Sequence, residues 1–229
     1  MSRWFTARMK MADLLSTNYN LLMLLPRLGI KLGFGNSSVA EVCRKNGMPE
    51  SFAIMVFNCY TFNDYEPDID SLSNSDLCFL TPYLVASHKY YVEERLPHIE
   101  RHLNHIAEQT GTRYADTLRT FFQGYRDEVL AHFAYEEETV FPIMEHRLAG
   151  GTGGRDIALF FAKSHDNIVD KLSDLTQIIF KYLPSEGMME ELNELLFAIL
   201  QLSDDLSKHA MIEDMVLIPY LTRKEGGKK

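Results

Sequence analysis

The chain has 229 residues, of which 46% are hydrophobic and 24% are charged. This length and composition allow one large domain, or one domain with a small appendage, and they exclude disordered and collagen-like chains. The three cysteines, Cys43, Cys59 and Cys78, include no C-x-x-C pair. Their spacing argues against a disulfide scaffold and favours a reducing compartment.

Charge is distributed unevenly along the chain. Residues 1–62 carry seven Lys/Arg against three Asp/Glu, a net charge of +4. Because the whole chain carries −9, the remainder carries −13. The acidic total argues against nucleic acid as a partner, and the asymmetry indicates two units with different surfaces.

No segment has the pattern of a membrane span. The longest strongly apolar run, Leu21 to Leu25, ends at Pro26 and is much shorter than the roughly 20 residues that a bilayer requires. The basic start of the chain is not followed by a small-residue cleavage site. We therefore expect no membrane partner and a cytoplasmic location.

A small helical domain is predicted at the start of the chain. A helical segment extends to about Pro26, and glycines then interrupt the chain before a capping box at Ser38 and Glu41 starts a short helix. A further helix is predicted from about Glu50 to Phe62. The polar, turn-rich stretch that follows predicts a linker. The predicted division is residues 1–62, a linker at 63–76, and a larger domain at 77–225.

Downstream of the linker the pattern is entirely helical. Four long amphipathic segments are separated by breaks near Gly111, at Gly150–Gly154 and at Pro184–Gly187. We predict an all-α fold, an up-down-up-down four-helix bundle with short loops. The predicted core stripes each contain one histidine and are Leu80, Leu84, His88, Ile99, Leu103, Ile106; Leu118, Phe121, Tyr125, Val129, His132, Glu136, Val140; Ile157, Phe161, His165, Ile168, Leu172, Leu175, Ile179; and Leu192, Leu195, Ile199, Leu202, Leu206, His209, Glu213, Val216.

Two of these helices contain the same His-x-x-x-Glu pattern. It occurs at His132 and Glu136 and again at His209 and Glu213, and an i,i+4 spacing places both side chains on one face. The residues that follow each pair also correspond, including a proline. His88 and His165 are 77 residues apart, as are the two pairs, so the bundle is predicted to consist of two similar helix hairpins.

Folding the two hairpins together brings four imidazoles and two carboxylates to one place in the core. Buried ionisable groups are costly unless they are paired or bind a metal. A closed zinc site uses about four ligands, often thiolates, whereas six nitrogen and oxygen ligands suit a dinuclear centre. We predict a site for two iron ions, with manganese and zinc as alternatives, and bridging roles for the two glutamates; the predicted ligands are His88, His132, Glu136, His165, His209 and Glu213.

Other residues of the first bundle helix allow two interpretations each. His98, His102 and His105 are rotated away from His88 and are predicted to lie on a solvated face, with a weak second metal site as the alternative. Tyr91 is predicted to pack in the core, or to donate a hydrogen bond near the ligand positions.

The six ligand positions resemble the ligand set of hemerythrin-like bundles over about residues 78–222. Together with the segment Tyr90–Pro97 (YYVEERLP), they are similar to the di-iron family that repairs iron–sulfur clusters. That resemblance implies two non-haem iron ions with oxo and carboxylate bridges. It also implies O2 or NO as a small ligand, and iron–sulfur proteins damaged by oxidative or nitrosative stress as partners.

The N-terminal segment also resembles the small helical domain of that family, with one departure. The resemblance lies in Leu25–Ile30 (LPRLGI) and Ser38–Cys43 (SVAEVC). The family typically has a Cys-Cys-Gly-Gly-like motif after the Gly-Ile, but here Leu32–Asn36 reads LGFGN. This segment therefore offers no thiols for contact with a cluster or for redox exchange.

Three functions are compatible with the sequence. The first is a di-iron protein that binds O2 or NO, or supplies iron, in cluster repair, rather than a conventional enzyme. The second is a gas or iron sensor whose N-terminal domain binds DNA or protein, although residues 50–62 contain no Lys or Arg with which to contact phosphates. The third is a gas- or iron-binding module without turnover, and a homodimer is left open for all three.

Overall fold

The structure is a computed structural model of the chain and describes residues 3–110, 113–154, 156, 165–183 and 187–223. Within these ranges the protein is helical and has no strand beyond an isolated bridge between Lys10 and Ser38. None of the helices in these ranges combines the length and apolar character needed to cross a lipid bilayer.

Four short α-helices form the N-terminal part: α1 at Met11–Thr17, α2 at Leu24–Arg27, α3 at Val39–Lys45 and α4 at Glu50–Thr61. A 3₁₀ turn at Tyr19–Met23 interrupts the segment that the sequence predicted as one helix ending near Pro26. The predicted capping box is present, because the Ser38 hydroxyl accepts a hydrogen bond from the backbone N–H of Glu41 and the Glu41 carboxylate bonds back to Ser38.

The segment predicted as a linker contains local structure of its own. A 3₁₀ turn lies at Ile69–Ser71, and a short helix, α5, lies at Asn74–Leu77. Ser73 and Asp76 form a second capping box at the start of α5. The Asp76 carboxylate also accepts a hydrogen bond from the Ser51 hydroxyl of α4, which fixes the end of this segment against the N-terminal helices.

Four longer helices, α6 to α9, follow in the described part of the chain. Three of them contain a π turn between two α-helical segments, and their bounds are Leu80–Tyr90, Tyr91–Arg95 and Leu96–Thr110 for α6; Arg113–Tyr135, Glu136–Val140 and Phe141–Leu148 for α7; His165–Tyr182 for α8; and Met189–Ile212, Glu213–Leu217 and Ile218–Thr222 for α9. Helix α6 packs on α7 and α9, and α8 packs on the same two. This arrangement confirms the predicted all-α bundle.

A proline follows each π turn. Pro97, Pro142 and Pro219 are each the second residue of the α-helical segment after the turn. A proline has no N–H and its ring clashes with the carbonyl four residues earlier in an α-helix, so a widened turn before it relieves the clash. The N–H of Phe141 accordingly bonds to the carbonyl of Glu136, five residues earlier, and Ile218 bonds to Glu213 in the same way.

Two clusters of buried apolar residues fill the part of the protein that the structure describes. One contains residues of the N-terminal helices together with one end of the bundle, such as Leu84, Val140 and Val216. The other fills the opposite end of the bundle, from Tyr91 on α6 to Leu206 on α9. The predicted stripe of α9 is buried throughout. In α7, however, Phe122 is buried and the predicted Phe121 is only partly buried.

A buried ion pair joins the N-terminal part to the bundle. Arg27 of α2 donates hydrogen bonds to both carboxylate oxygens of Asp205 on α9, with Nη1 at 2.9 Å from Oδ1. The hydroxyls of Tyr60 and Tyr91 each donate to the same Oδ1 at 2.9 Å. Burial by itself would lower the pKa of Arg27, but Tyr91, Asp205 and Tyr60 together raise it above its usual range. The guanidinium is therefore permanently charged, and both of its terminal nitrogens are paired with Asp205.

We predict that Arg27→Met is strongly destabilising. Removing one member of a buried ion pair leaves the other uncompensated, at a cost of about 3–5 kcal/mol. Urea unfolding at matched metal content measures the free energy of unfolding. The double variant Arg27→Met/Asp205→Leu removes both charges and should recover most of the loss. A single variant as stable as the unsubstituted protein would contradict this prediction.

The three cysteines are predicted to differ in reactivity. Burial raises the pKa of the Cys43 thiol to about 11 and that of Cys59 to about 12, so both stay protonated at pH 8, whereas Cys78 is exposed. Because the thiolate is the nucleophile, an aromatic disulfide reagent at pH 8 should react quickly with one thiol in the native protein and with all three in denaturant. Cys78→Ser should abolish the fast phase, and a fast phase that persists in that variant would show this assignment to be wrong.

Candidate metal centre

The first part of the site forms between α6 and α7. His88 projects from α6 and its Nε2 lies 2.9 Å from Oε2 of Glu136. His132, one turn before Glu136 on α7, places its own Nε2 2.8 Å from the other oxygen, Oε1. The i,i+4 spacing therefore brings the two side chains of α7 together on one face, as the sequence predicted.

Helix α9 supplies the second part. His209 Nε2 lies 3.3 Å from Glu213 Oε1, which repeats the His132–Glu136 pair on the neighbouring hairpin. The two hairpins meet where His88 Nε2 and His209 Nε2 approach to 3.1 Å. His88, Glu136, His209 and Glu213 are all buried, and each offers a ligand atom within 4.8 Å of those of the others.

The six predicted positions are accounted for as follows. Five of them, His88, His132, Glu136, His209 and Glu213, come together in the structure, with His132 slightly more exposed at 12% of its side chain. The sixth, His165, is the first residue of α8, and its side chain lies outside the described residues. Ile157 and Phe161 of the predicted third stripe lie outside them as well.

Apolar groups surround the polar cluster. The Phe133 ring stacks on His88 at 3.9 Å between centroids, and Phe141 lies on the same imidazole at 5.6 Å. On the side towards α8, a small cavity of about 20 Å³ is lined by residues that include His132, His209 and Glu213. A cavity needs about 10–15 Å³ to hold one water molecule, so this space fits a ligand of one or two atoms.

A carboxylate that sequence reasoning missed orients His88. The Nδ1 of His88 donates a hydrogen bond to Glu137 Oε1 at 2.8 Å. With Nδ1 bonded to Glu137, Nε2 is the ring nitrogen that is directed into the cluster. The His-x-x-x-Glu spacing selects Glu136 and not Glu137. Only the fold shows that two consecutive glutamates of the π turn reach the same histidine.

Sequence reasoning also missed Asp205, one turn before His209 on the same face of α9. Tyr91 donates a hydrogen bond to Asp205 Oδ1 and its ring meets His209 edge-on, with centroids 5.6 Å apart. Burial, followed by the charge of Asp205, raises the pKa of Tyr91 well above its usual range. The hydroxyl therefore stays protonated as a donor, so Tyr91 both packs in the core and hydrogen-bonds beside the site.

The donor set fits a metal ion of the iron, manganese or zinc type. Imidazole nitrogens and carboxylate oxygens suit these ions. The nitrogens that face one another in the cluster are the Nε2 atoms of His88 and His209. Two buried carboxylates beside three imidazoles carry a desolvation cost, and a bound metal cation would compensate that cost. The residues present are thus chemically suited to cation binding.

Comparison with known protein families agrees with this chemistry. Residues 81–179 match the family model described as the hemerythrin HHE cation binding domain. The matched range contains His88, His132, Glu136 and His165, whereas His209 and Glu213 lie after it. A search of the curated proteins found no match for the chain. The family match and the helical architecture together support a hemerythrin-like, cation-binding bundle in this chain.

We predict that Glu137 controls how firmly the site holds a metal. Carboxylates that orient a ligating histidine typically contribute 10–100-fold to metal affinity, so Glu137→Ala should release metal to a chelator about 10-fold faster. Glu138→Ala, which removes the next exposed glutamate, is the matched control. Equal release rates in the two variants would show that Glu137 has no such role.

Proposed function

We propose that this chain is a non-haem di-iron protein that binds O2 or NO, or supplies iron, in the repair of iron–sulfur clusters. The observation that carries the di-iron part is the buried group formed by His88, Glu136, His209 and Glu213, whose ligand atoms lie within 4.8 Å of one another. The repair role under oxidative or nitrosative stress rests on the resemblance of the Tyr90–Pro97 segment and of the N-terminal segment to the repair family.

The arrangement of Glu136 supports a bridging role. Its Oε2 faces His88 and its Oε1 faces His132, at 2.9 and 2.8 Å respectively. Each carboxylate oxygen is therefore already directed to a different imidazole, as a carboxylate that joins two ions requires. By the correspondence of the two hairpins, Glu213 is the second bridge.

The same distances divide the histidines between the two ions. His88 Nε2 and His209 Nε2 lie 3.1 Å apart, so these two residues would hold one ion. His132 and His165 are assigned to the other.

When bound, two iron ions would supply one-electron redox chemistry and exchangeable coordination positions. The protein's own contribution is selection and exclusion. Phe133 and Phe141 cover the His88 side and keep water away, while the cavity of about 20 Å³ beside His132 and His209 has room for a diatomic molecule. These features favour a small gas over a larger organic substrate.

The alternative of a DNA-binding regulator receives less support. Most residues of α4 are buried, from Phe52 to Tyr60. A recognition helix must expose one face to enter a groove, but α4 packs on α9. We propose instead that residues 1–62 form a small helical domain anchored on the bundle through Arg27, with residues 63–76 as the connection to residues 77–225.

The experiment that tests the di-iron proposal is metal analysis of protein purified without a chelating tag. We expect about two iron ions per chain and a visible absorption band that changes on addition of NO. Iron loading should also raise the melting temperature, since a ligand that binds only the native state stabilises it. Protein that stays folded without metal, and cannot be reconstituted with ferrous iron, would refute the proposal.

A bridging role predicts a specific loss in one variant. Glu136→Ala should reduce the iron content well below two ions per chain, because both ions lose a ligand. Glu138→Ala, a neighbouring exposed position, should retain the iron content of the unsubstituted protein. Circular dichroism checks that both variants stay helical. Unchanged iron stoichiometry in Glu136→Ala would rule out this assignment.

The repair role needs its own assay. Iron-loaded protein should restore the activity of an iron–sulfur enzyme whose cluster has been damaged by NO, and Glu136→Ala should not. If the iron content is as expected but no restoration occurs, a gas- or iron-binding module without turnover becomes the better description.

A further inference from the structure

A second group of metal-ligating side chains lies on the surface, away from the buried centre. His98 and His102 occupy consecutive turns of α6, and their ring centroids are 4.6 Å apart. Glu194 of α9 faces them, with its Oε2 at 4.0 Å from His102 Nδ1. All three line a cleft of about 670 Å³ that is also bounded by Tyr19 and Asn20 of the N-terminal part.

We propose that His98, His102 and Glu194 form a surface site for a divalent transition-metal ion of the zinc class, bridging α6 and α9. Two histidines one helical turn apart present their rings on one face, and a carboxylate from the facing helix completes a His₂Glu set. Three protein ligands of this kind leave a fourth position of zinc open. Here that position faces the cleft.

His102 and Glu194 are close to the required geometry. Two ligand atoms at about 2.1 Å from a tetrahedral ion lie about 3.4 Å apart, so the 4.0 Å between His102 and Glu194 must shorten by less than 1 Å. The Glu194 side chain is 69% exposed and can rotate to achieve this. The group is looser than the buried centre, and we therefore expect weaker binding.

Charges of both signs lie around the group, with Arg95 and Arg101 on the positive side and Glu194 and Asp204 on the negative side. Arg95, which lines the same cleft, donates its hydrogen bonds to Gln201 Oε1 at 2.7 Å and to the carbonyl of Ala198 at 3.3 Å. Arg101 approaches His98 at Nδ1, with its Nη2 3.5 Å from that nitrogen. Asp204 adds a second carboxylate to the lining of the cleft.

The protonation of His98 is also suitable. Partial burial, followed by the nearby positive groups His102, Arg95 and Arg101, lowers the pKa of His98 below its usual value. A neutral imidazole is the form that binds a metal. His98 is therefore more readily available as a neutral imidazole than an ordinary histidine is.

The proposal does not depend on what fills the buried centre. Zinc is added to the full-length protein as purified, and the ions bound to each chain are counted after equilibrium dialysis against a fixed concentration of free zinc. We expect His102→Ala and Glu194→Gln to carry one zinc ion fewer than the unsubstituted protein, whichever metal occupies the core. Calorimetric titration should show at least a 10-fold loss of zinc affinity in both variants.

His105→Ala is the matched control, because His105 is an exposed histidine on the same helix that does not line the cleft. It should bind as much zinc as the unsubstituted protein. If the control loses the same ion, or if the His102 and Glu194 variants bind zinc normally, the proposed site does not exist. An unchanged melting temperature and an unchanged metal content of the buried centre in each variant separate this result from a failure of that centre.

Discussion

Two carboxylates without solvent exposure, Glu136 and Glu213, set the main constraint on this structure. A buried carboxylate is strongly unfavourable unless other groups compensate it, and here the imidazoles of His88, His132 and His209 approach the two groups at 2.8–3.3 Å. The polar group lies between two apolar clusters, so the surrounding helices cannot shift without exposing it. Metal binding is the function that most directly explains why such a core is stable.

The π turns connect this constraint to the sequence. Glu136 and Glu213 each begin a π turn, and a proline follows each turn. Wide turns of this kind occur frequently at functional sites. In α7 the turn contains both Glu136 and Glu137, and these two residues reach opposite sides of the same His88 imidazole. The π turn therefore supplies both a candidate ligand, Glu136, and the carboxylate that contacts Nδ1 of His88, Glu137.

Helix α6 shows how burial separates two uses of histidine. His88 lies in a closed apolar environment with its Nδ1 held by Glu137, whereas His98 and His102 line an open cleft beside an exposed carboxylate. The first environment favours a metal ion that is held tightly, and the second favours an ion that is bound weakly and exchanges with solution. Arg27 connects the N-terminal part to the buried region, because it pairs with Asp205 one turn from His209.

The sequence by itself determined the helices, most of their buried faces and five candidate ligand positions that lie together in the structure, because helical periodicity and an i,i+4 spacing are local properties. The tertiary structure decided what depends on distant segments. Arg27 and Asp205 are 178 residues apart, and their pairing follows only from the docking of the N-terminal helices on the bundle, α2 on α6 and α4 on α9. The burial of Phe122 in place of Phe121 depends on how α7 rotates against its neighbours. The partner of His88 Nδ1 and the 3.1 Å approach of His88 to His209 likewise follow from the packing of two hairpins, which no local pattern encodes.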